Sequence, residues 1–195
     1  NLMADLSYAA SKIRTINDWP TQGIIFKDIT PLLADPKAMK TVVQAIAELG
    51  KDADVIAGVE ARGFVFASAV ANELNKGFVP IRKKGKLPFT THSQEYGLEY
   101  GEGVLEIHTD AVKPGQKVLL IDDVMHSGKT MQYAIRHVLS YNPIQVETLC
   151  LIQRSYLQFP VLSNYIGLRL NTTLQEHVSV ELHESTPHLD QVILK

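Results

Sequence analysis

The chain has 195 residues, 45% of them apolar, and 19 Lys and Arg against 21 Asp and Glu give a formal charge of −2. That length can bury a real core, so we expect one domain over 1–195. No run of about 18 apolar residues and no basic, apolar, small-residue leader pattern occurs, which predicts a cytoplasmic protein with no membrane partner. The slight acidity argues against nucleic acid as a partner. The one cysteine, Cys150, lies in the apolar run Thr148-Leu149-Cys150-Leu151-Ile152 and reads as a packed thiol.

Residues 2–16 place Leu6, Ala9, Ala10 and Ile13 at helical spacing, which predicts a packing helix. In 17–31, NDWPTQGIIFKDITP, Pro20 and Gly23 mark a turn, and Ile24-Ile25-Phe26 is a short apolar segment running into Lys27-Asp28. Asp35-Pro36 then has the chemistry of a helix start, with Asp as N-cap and Pro at the first helical position. Ala38, Met39, Val42, Val43, Ile46 and Leu49 form the buried stripe of that helix, and Gly50 is a fitting stop.

Val55-Ile56-Ala57 reads as a buried strand entering the charged loop Gly58-Val59-Glu60-Ala61-Arg62-Gly63-Phe64, after which 64–74 has a helical pattern. A third strand is expected over 77–82. It leads into Lys83-Lys84-Gly85-Lys86-Leu87-Pro88, whose crowded cations suit an anion clamp when set beside phosphate-binding loops. Residues 89–96 are polar and aperiodic, which predicts a lid. Val104-Leu105-Glu106-Ile107 is strand-like, and Lys113-Pro114-Gly115 is a turn.

The most informative stretch is 117–130, KVLLIDDVMHSGKT. Val118 to Ile121 is an apolar run suited to a strand buried on both faces, and Asp122 and Asp123 follow where that strand would leave the core. After a turn holding Ser127, Gly128 and Thr130, the residues Met131, Ala134, Ile135, Val138 and Leu139 recur on one helix face to about Tyr141. Free N–H groups at the start of such a helix, with the two hydroxyls, can cradle a phosphate. A nucleotide triphosphatase loop is excluded, because it needs glycine where Asp123 stands. Two carboxylates beside a phosphate cradle should instead meet neutral hydroxyls or a divalent cation on the same ligand, and a phosphorylated sugar offers both. Beyond Asn142-Pro143 another buried strand is expected over 146–152. The βαβαβ alternation predicts an α/β fold with a doubly wound parallel sheet.

The apolar strand, acidic pair and small-residue loop ending in Thr resemble the 5-phosphoribosyl 1-pyrophosphate (PRPP) signature of type I phosphoribosyltransferases. The resemblance implies that Asp122 and Asp123 hold the ribose hydroxyls and that His126, Ser127, Gly128, Lys129 and Thr130 hold the 5′-phosphate. The 17–31 string is similar to the N-terminal segment of the adenine phosphoribosyltransferases, F-P-x-x-G-I-x-F-x-D-I-T-P, with Trp19 in place of the usual Phe. By that likeness Phe26 stacks on the base, with Ile25 and Lys27 beside it. Glu60-Ala61-Arg62-Gly63-Phe64 resembles the family's pyrophosphate loop D-S-R-G-F. Residues 82–88 resemble R-K-x-G-K-L-P, so Arg62, Arg82, Lys83 and Lys86 are implied pyrophosphate contacts. Leu98-Glu99-Tyr100-Gly101 matches the family's L-E-Y-G, which implies Glu99 as the acid/base residue, with Arg62 also catalytic, and Tyr100 near PRPP.

The family resemblance further implies a small hood over about 1–34, a flexible lid over about 83–103, Mg²⁺ bound through PRPP with no direct protein ligand, and a homodimer. The expected reaction joins adenine to the ribose 5-phosphate of PRPP, giving AMP and pyrophosphate. Gln153-Arg154-Ser155, Phe159-Pro160-Val161, Asn164-Tyr165-Ile166-Gly167 and Val178-Ser179-Val180-Glu181-Leu182 resemble instead the C-terminal part of the pyrimidine attenuation regulators, some of which act on uracil. Another base (uracil, hypoxanthine or guanine) and a PRPP-sensing regulator of the same fold therefore stay open. His126 could exchange a proton with the base or be a polar surface residue.

Overall fold

A computed structural model describes residues 2–23, 25–93, 104–155, 157–170, 178–181 and 191–194. The N-terminal helical pattern builds α1 (Leu2–Ser11), which stops short of Ile16. Arg14–Ile16 forms β1 instead, antiparallel to β2 (Phe26–Asp28), and Arg14 meets Asp28 at 3.4 Å across the pair. Thr15 and Ile16 are β-branched and favour the pleat, and their partner strand lies beyond any local helical window. Asp28 Oδ1 accepts from the Thr30 N–H at 2.9 Å and the Thr30 hydroxyl at 2.7 Å, which secures the start of α2 (Thr30–Ala34).

Helix α3 (Pro36–Leu49) begins as its residues predict, with the Ala38 N–H donating to Asp35 Oδ1 at 2.9 Å. The other Asp35 oxygen accepts from the Tyr8 hydroxyl at 2.6 Å and pairs with Lys12 at 3.0 Å, which ties α1 to α3. Gly50 stops α3 for want of space rather than for a left-handed turn. Its φ is −93°, and a Cβ there would stand 2.6 Å from Leu119 Cδ2.

The remaining elements are β3 (Val55–Val59), α4 (Arg62–Glu73), β4 (Gly77–Lys83), β5 (Thr91–Ser93), β6 (Leu105–His108), β7 (Lys117–Met125), α5 (Lys129–Leu139), β8 (Gln145–Arg154), β9 (Tyr165–Leu170), β10 (Val178–Glu181) and β11 (Gln191–Leu194). The main sheet has the order β5-β6-β4-β3-β7-β8-β9. Strands β4, β3, β7, β8 and β9 are parallel, while β6 and β5 add an antiparallel edge. Strands β10 and β11 pair separately as an antiparallel ribbon.

Both faces of the sheet are covered, as a doubly wound α/β fold requires. Leu119 and Ile121 join Ile46 of α3 and Phe66 of α4 in one core cluster. Leu120 joins Met131 and Val138 of α5 and Ile107 of β6 in the other. Leu119, Leu120 and Ile121 are 0% exposed, and burial of each contributes about 1.5–3 kcal/mol.

One expectation needs correction. Strand β7 does not leave the core at Ile121; it runs through the acidic pair to Met125, because β8 continues alongside and pairs Asp122 with Cys150 and Met125 with Gln153. At the start of the expected lid Lys83 closes β4, and further along it Thr91–Ser93 pairs with β6; residues 94–103 of that span lie outside the described ones. Among the described residues, no helix is long and apolar enough to cross a membrane.

Topology locates the crevice. The chain leaves β3 for β4 on one side, whereas β7 leads to β8 on the other, so the strand order reverses between β3 and β7. Loops at the carboxyl ends of two such strands diverge and leave room for a ligand. These are the loops that carry Glu60 to Gly63 and Asp122 to Thr130.

Candidate active site

Asp122 and Asp123, each 7% exposed, stand near the end of β7. Helix α4 starts directly beside them because residue 63 has no side chain. A Cβ on Gly63 would lie 2.9 Å from the Ile121 carbonyl oxygen and 3.6 Å from Asp122 Oδ1. This close approach brings Arg62 Nε within 2.6 Å of Asp123 Oδ2. The contact is an ion pair without hydrogen-bond alignment, so Asp123 Oδ2 remains a buried acceptor with no donor. Asp122 Oδ1 accepts from the Asp123 N–H at 2.9 Å. Burial, and after it the charge of Asp123, holds the Asp122 carboxyl well above the usual carboxylate range, with Arg62 pulling the other way.

Arg62 also reaches the segment expected to hold the base. Its Nη1 donates to the Lys27 carbonyl at 3.4 Å, and its guanidinium lies 5.2 Å from the centre of the Phe26 ring. The Trp19 ring meets Phe26 edge-on at 4.4 Å. Ile25 is exposed, and Lys27 turns its ammonium away to the Thr15 hydroxyl at 2.7 Å. The structure thus brings Phe26, the Lys27 carbonyl, Arg62 and Asp123 to one place. The Lys27 side chain is not part of that group.

The basic turn after β4 is pinned by a residue the sequence left without a role. Glu60, whose side chain is 6% exposed, accepts from Arg82 Nε at 2.9 Å and from the Lys83 N–H at 3.0 Å, and pairs with Lys86 Nζ at 3.3 Å. Arg82 Nη1 donates to the Lys86 carbonyl at 3.1 Å. Burial alone would raise the Glu60 carboxyl; the Lys83 N–H, Arg82 and Lys86 outweigh it and hold the group below its ordinary value. Of the four cations expected to meet pyrophosphate, Arg62, Arg82 and Lys86 therefore face carboxylates, because buried carboxylates need counter-charges. The signal for Glu60 was its place as the only acid between β3 and Arg62, opposite a lysine-rich turn. The Glu60–Ala61 peptide is cis.

The expected phosphate cradle lies between β7 and α5. Gly128 caps α5 with φ 83°, a left-handed conformation that favours glycine, and a Cβ there would meet the Phe159 carbonyl at 3.0 Å. The Phe159 N–H donates to the Ser127 carbonyl at 3.0 Å, so the chain after β8 braces the loop from behind. No local pattern announces that brace. Ser127 Oγ accepts from the Lys129 N–H at 3.3 Å, Thr130 is exposed, and Lys129 Nζ lies 6.0 Å from the Tyr133 ring centre. His126 is exposed; such desolvation as it has, and then the charge of Arg154, draws its imidazole below the ordinary value, so the neutral form dominates at neutral pH. Glu99 and Tyr100 lie outside the described residues.

Residues 29–185 match the phosphoribosyl transferase domain family. Over 126 residues the chain is 58% identical to the adenine phosphoribosyltransferase of Parvibaculum lavamentivorans, a stretch covering 64% of this chain and 72% of that protein. The solved adenine phosphoribosyltransferase of Rhodothermus marinus is similar with a TM-score of 0.75 and 38% identity, over 86% of this chain and 99% of the other. The Saccharomyces cerevisiae adenine phosphoribosyltransferase, complexed with D-2,5-dideoxy-2,5-imino-altritol 1,6-bisphosphate and adenine, gives a TM-score of 0.76 at 26% identity, over 84% of this chain and 97% of the other.

Proposed function

The chain belongs to the phosphoribosyl transferase family and, within it, to the adenine phosphoribosyltransferases, and from that premise we infer that it transfers the ribose 5-phosphate of PRPP to adenine, giving AMP and pyrophosphate. The observation that carries this reading is the buried acidic pair between a helix-capping loop and a stacked Phe26 and Arg62. One crevice thus holds acceptors for sugar hydroxyls, donors for a phosphate and an aromatic face for a base.

In the reaction, Asp122 and Asp123 accept hydrogen bonds from the ribose hydroxyls, Asp123 Oδ2 being an acceptor in want of a donor. Residues 126–130 hold the 5′-phosphate, with Ser127 and Thr130 adding hydroxyls to the N–H groups at the start of α5, and His126 and Lys129 flanking it. Arg62, Arg82, Lys83 and Lys86 gather around the pyrophosphate, where charge builds as the bond to the anomeric carbon breaks. Arg62 spans the two halves of the site, so loading PRPP onto Asp123 frees the guanidinium beside the leaving group. Phe26 stacks on adenine, with Ile25 and the main chain of Lys27 beside it. Glu99, or a water it holds, manages the purine proton, and Tyr100 meets PRPP. Positioning supplies much of the acceleration.

The donor set fits a divalent cation brought by the ligand, since two carboxylates with little water around them favour positive charge on the sugar phosphate. Bound through PRPP, Mg²⁺ would neutralise part of the pyrophosphate charge. We place the active form as a homodimer on family grounds. The likeness of Gln153 to Leu182 to the pyrimidine attenuation regulators stays a proposal about the base, and the same assay tests it. The protein is incubated with PRPP, Mg²⁺ and adenine, uracil, hypoxanthine or guanine in turn, and pyrophosphate release is followed. Release with adenine is expected. Turnover of a different base alone overturns the substrate, and silence with every base overturns the enzyme.

A further inference from the structure

Glu60 is an unusual neighbour for a site that must receive an anion. Its carboxylate is nearly removed from water, and the partners converging on it are the ones the pyrophosphate would seek: Arg82 Nε, Lys86 Nζ and the Lys83 N–H. The main chain of the turn is held by the β4–β6 ladder and by the Lys84 N–H, which donates to the Val104 carbonyl at 2.9 Å, but these bonds leave the Arg82 and Lys86 side chains unfixed. Gly85 adopts φ +81° and donates its N–H to Glu106 at 2.9 Å, and the Lys86 N–H closes onto the Lys83 carbonyl at 3.3 Å. The Arg82 and Lys86 side chains are 35% and 51% exposed, so long flexible cations would sample many rotamers without a fixed partner. The backbone of Glu60 is itself fixed, since its N–H donates to the Ile81 carbonyl at 3.0 Å.

We propose that Glu60 is a positioning residue for the anion clamp: its carboxylate fixes Arg82, Lys86 and the Lys83 main chain so that their remaining donors face the pyrophosphate. Arg82 spends its Nε donor on Glu60 and one Nη1 donor on the Lys86 carbonyl, which leaves the second Nη1 donor and both on Nη2 to the ligand in one orientation. Lys86 holds Glu60 with one of its three N–H donors and keeps two. The inference rests on the transferase reading and adds to it a residue that touches neither sugar nor base. A carboxylate is required here because it accepts from several donors at once, whereas an amide of the same shape turns an N–H₂ toward the cations.

The test compares wild type with Glu60→Gln and Glu60→Asp, using inorganic pyrophosphate with Mg²⁺ in calorimetric titration and steady-state KM values for PRPP and adenine. In Glu60→Gln, loss of the charge-assisted contacts should weaken pyrophosphate binding and raise the PRPP KM about tenfold, equivalent to about 1.4 kcal/mol, with the adenine KM unchanged. Glu60→Asp keeps the charge and both acceptor oxygens, so its constants should stay within about threefold of wild type. Wild-type pyrophosphate affinity in the Gln variant, tighter binding, an equal rise in the adenine KM, or an Asp variant as weak as Gln would each overturn the proposal. A Gln variant without a cooperative melt also counts against it, since Glu60 would then serve the fold at large. Failure of wild type to bind pyrophosphate or PRPP strikes the transferase reading itself.

Discussion

Asp122→Asn should make the empty protein more stable at alkaline pH while it weakens PRPP binding. Asp122 is 7% exposed beside Asp123, equally buried, and its carboxyl is held well above the ordinary range. A carboxyl raised in the folded state contributes fully to stability below its unfolded value of about 4, and that contribution is lost as the pH rises through the raised value. Asparagine has no proton to lose. The melting temperature of the variant minus that of wild type should therefore increase with pH, and groups common to both proteins cancel in the difference. Each tenfold displacement of proton affinity is worth about 1.4 kcal/mol, and in a domain of this size about 1 kcal/mol moves the melting point by about 2–4 °C. Even one tenfold displacement predicts a gap wider by about 2–4 °C at pH 8.5 than at pH 4, because the contribution is lost between the unfolded value and the raised one. Meanwhile a charged hydrogen bond to a ribose hydroxyl is worth about 1.5–3 kcal/mol, so PRPP affinity should fall about ten- to a hundredfold by calorimetric titration. A variant that melts below wild type at pH 8.5, or a gap that does not change with pH, would refute the reasoning.

Gly63→Ala forces a Cβ to within 2.9 Å of the Ile121 carbonyl, an atom of a central strand that cannot move aside. Overpacking of this kind costs about 1–3 kcal/mol, so the melting point should drop and PRPP binding weaken as Arg62 and Asp123 shift; an unchanged melt would count against the close-approach account. Phe26→Ala should raise the KM for adenine and leave PRPP affinity intact, and Asp123→Asn should do the reverse; equal PRPP affinity in Asp123→Asn and wild type would remove its assigned role. Cys150 is 0% exposed and burial pushes its thiol up, so an aromatic disulfide reagent should label it only on unfolding. Prompt labelling of the native protein would contradict that burial.

The elements that were legible in advance are those specified by neighbouring residues. Asp35 and Pro36 start α3 through a bond spanning three residues. The apolar runs around Ile56 and Leu120 are strands wherever both faces are covered, and the small-residue loop with Gly128 opens α5 because its cap needs a left-handed φ. Harder to foresee was the extent of β7. Carboxylates are poor strand formers, yet Asp122 and Asp123 are carried inside the ladder by the pairing with β8. The polar residues of β5 became a strand for the same reason, through pairing with β6.

Sequence alone determined that a small-residue loop and an acidic pair would share one strand-to-helix connection, since a few adjacent residues carry that chemistry whatever surrounds them. Tertiary structure decided which charges meet: Arg62 turns to Asp123 and to the carbonyl of Lys27, and Glu60 takes Arg82 and Lys86. Such pairings depend on distances between strands that are remote in the chain. A string of residues fixes its local torsions and its pattern of burial, but an ion pair forms only once the sheet has brought its two ends within reach.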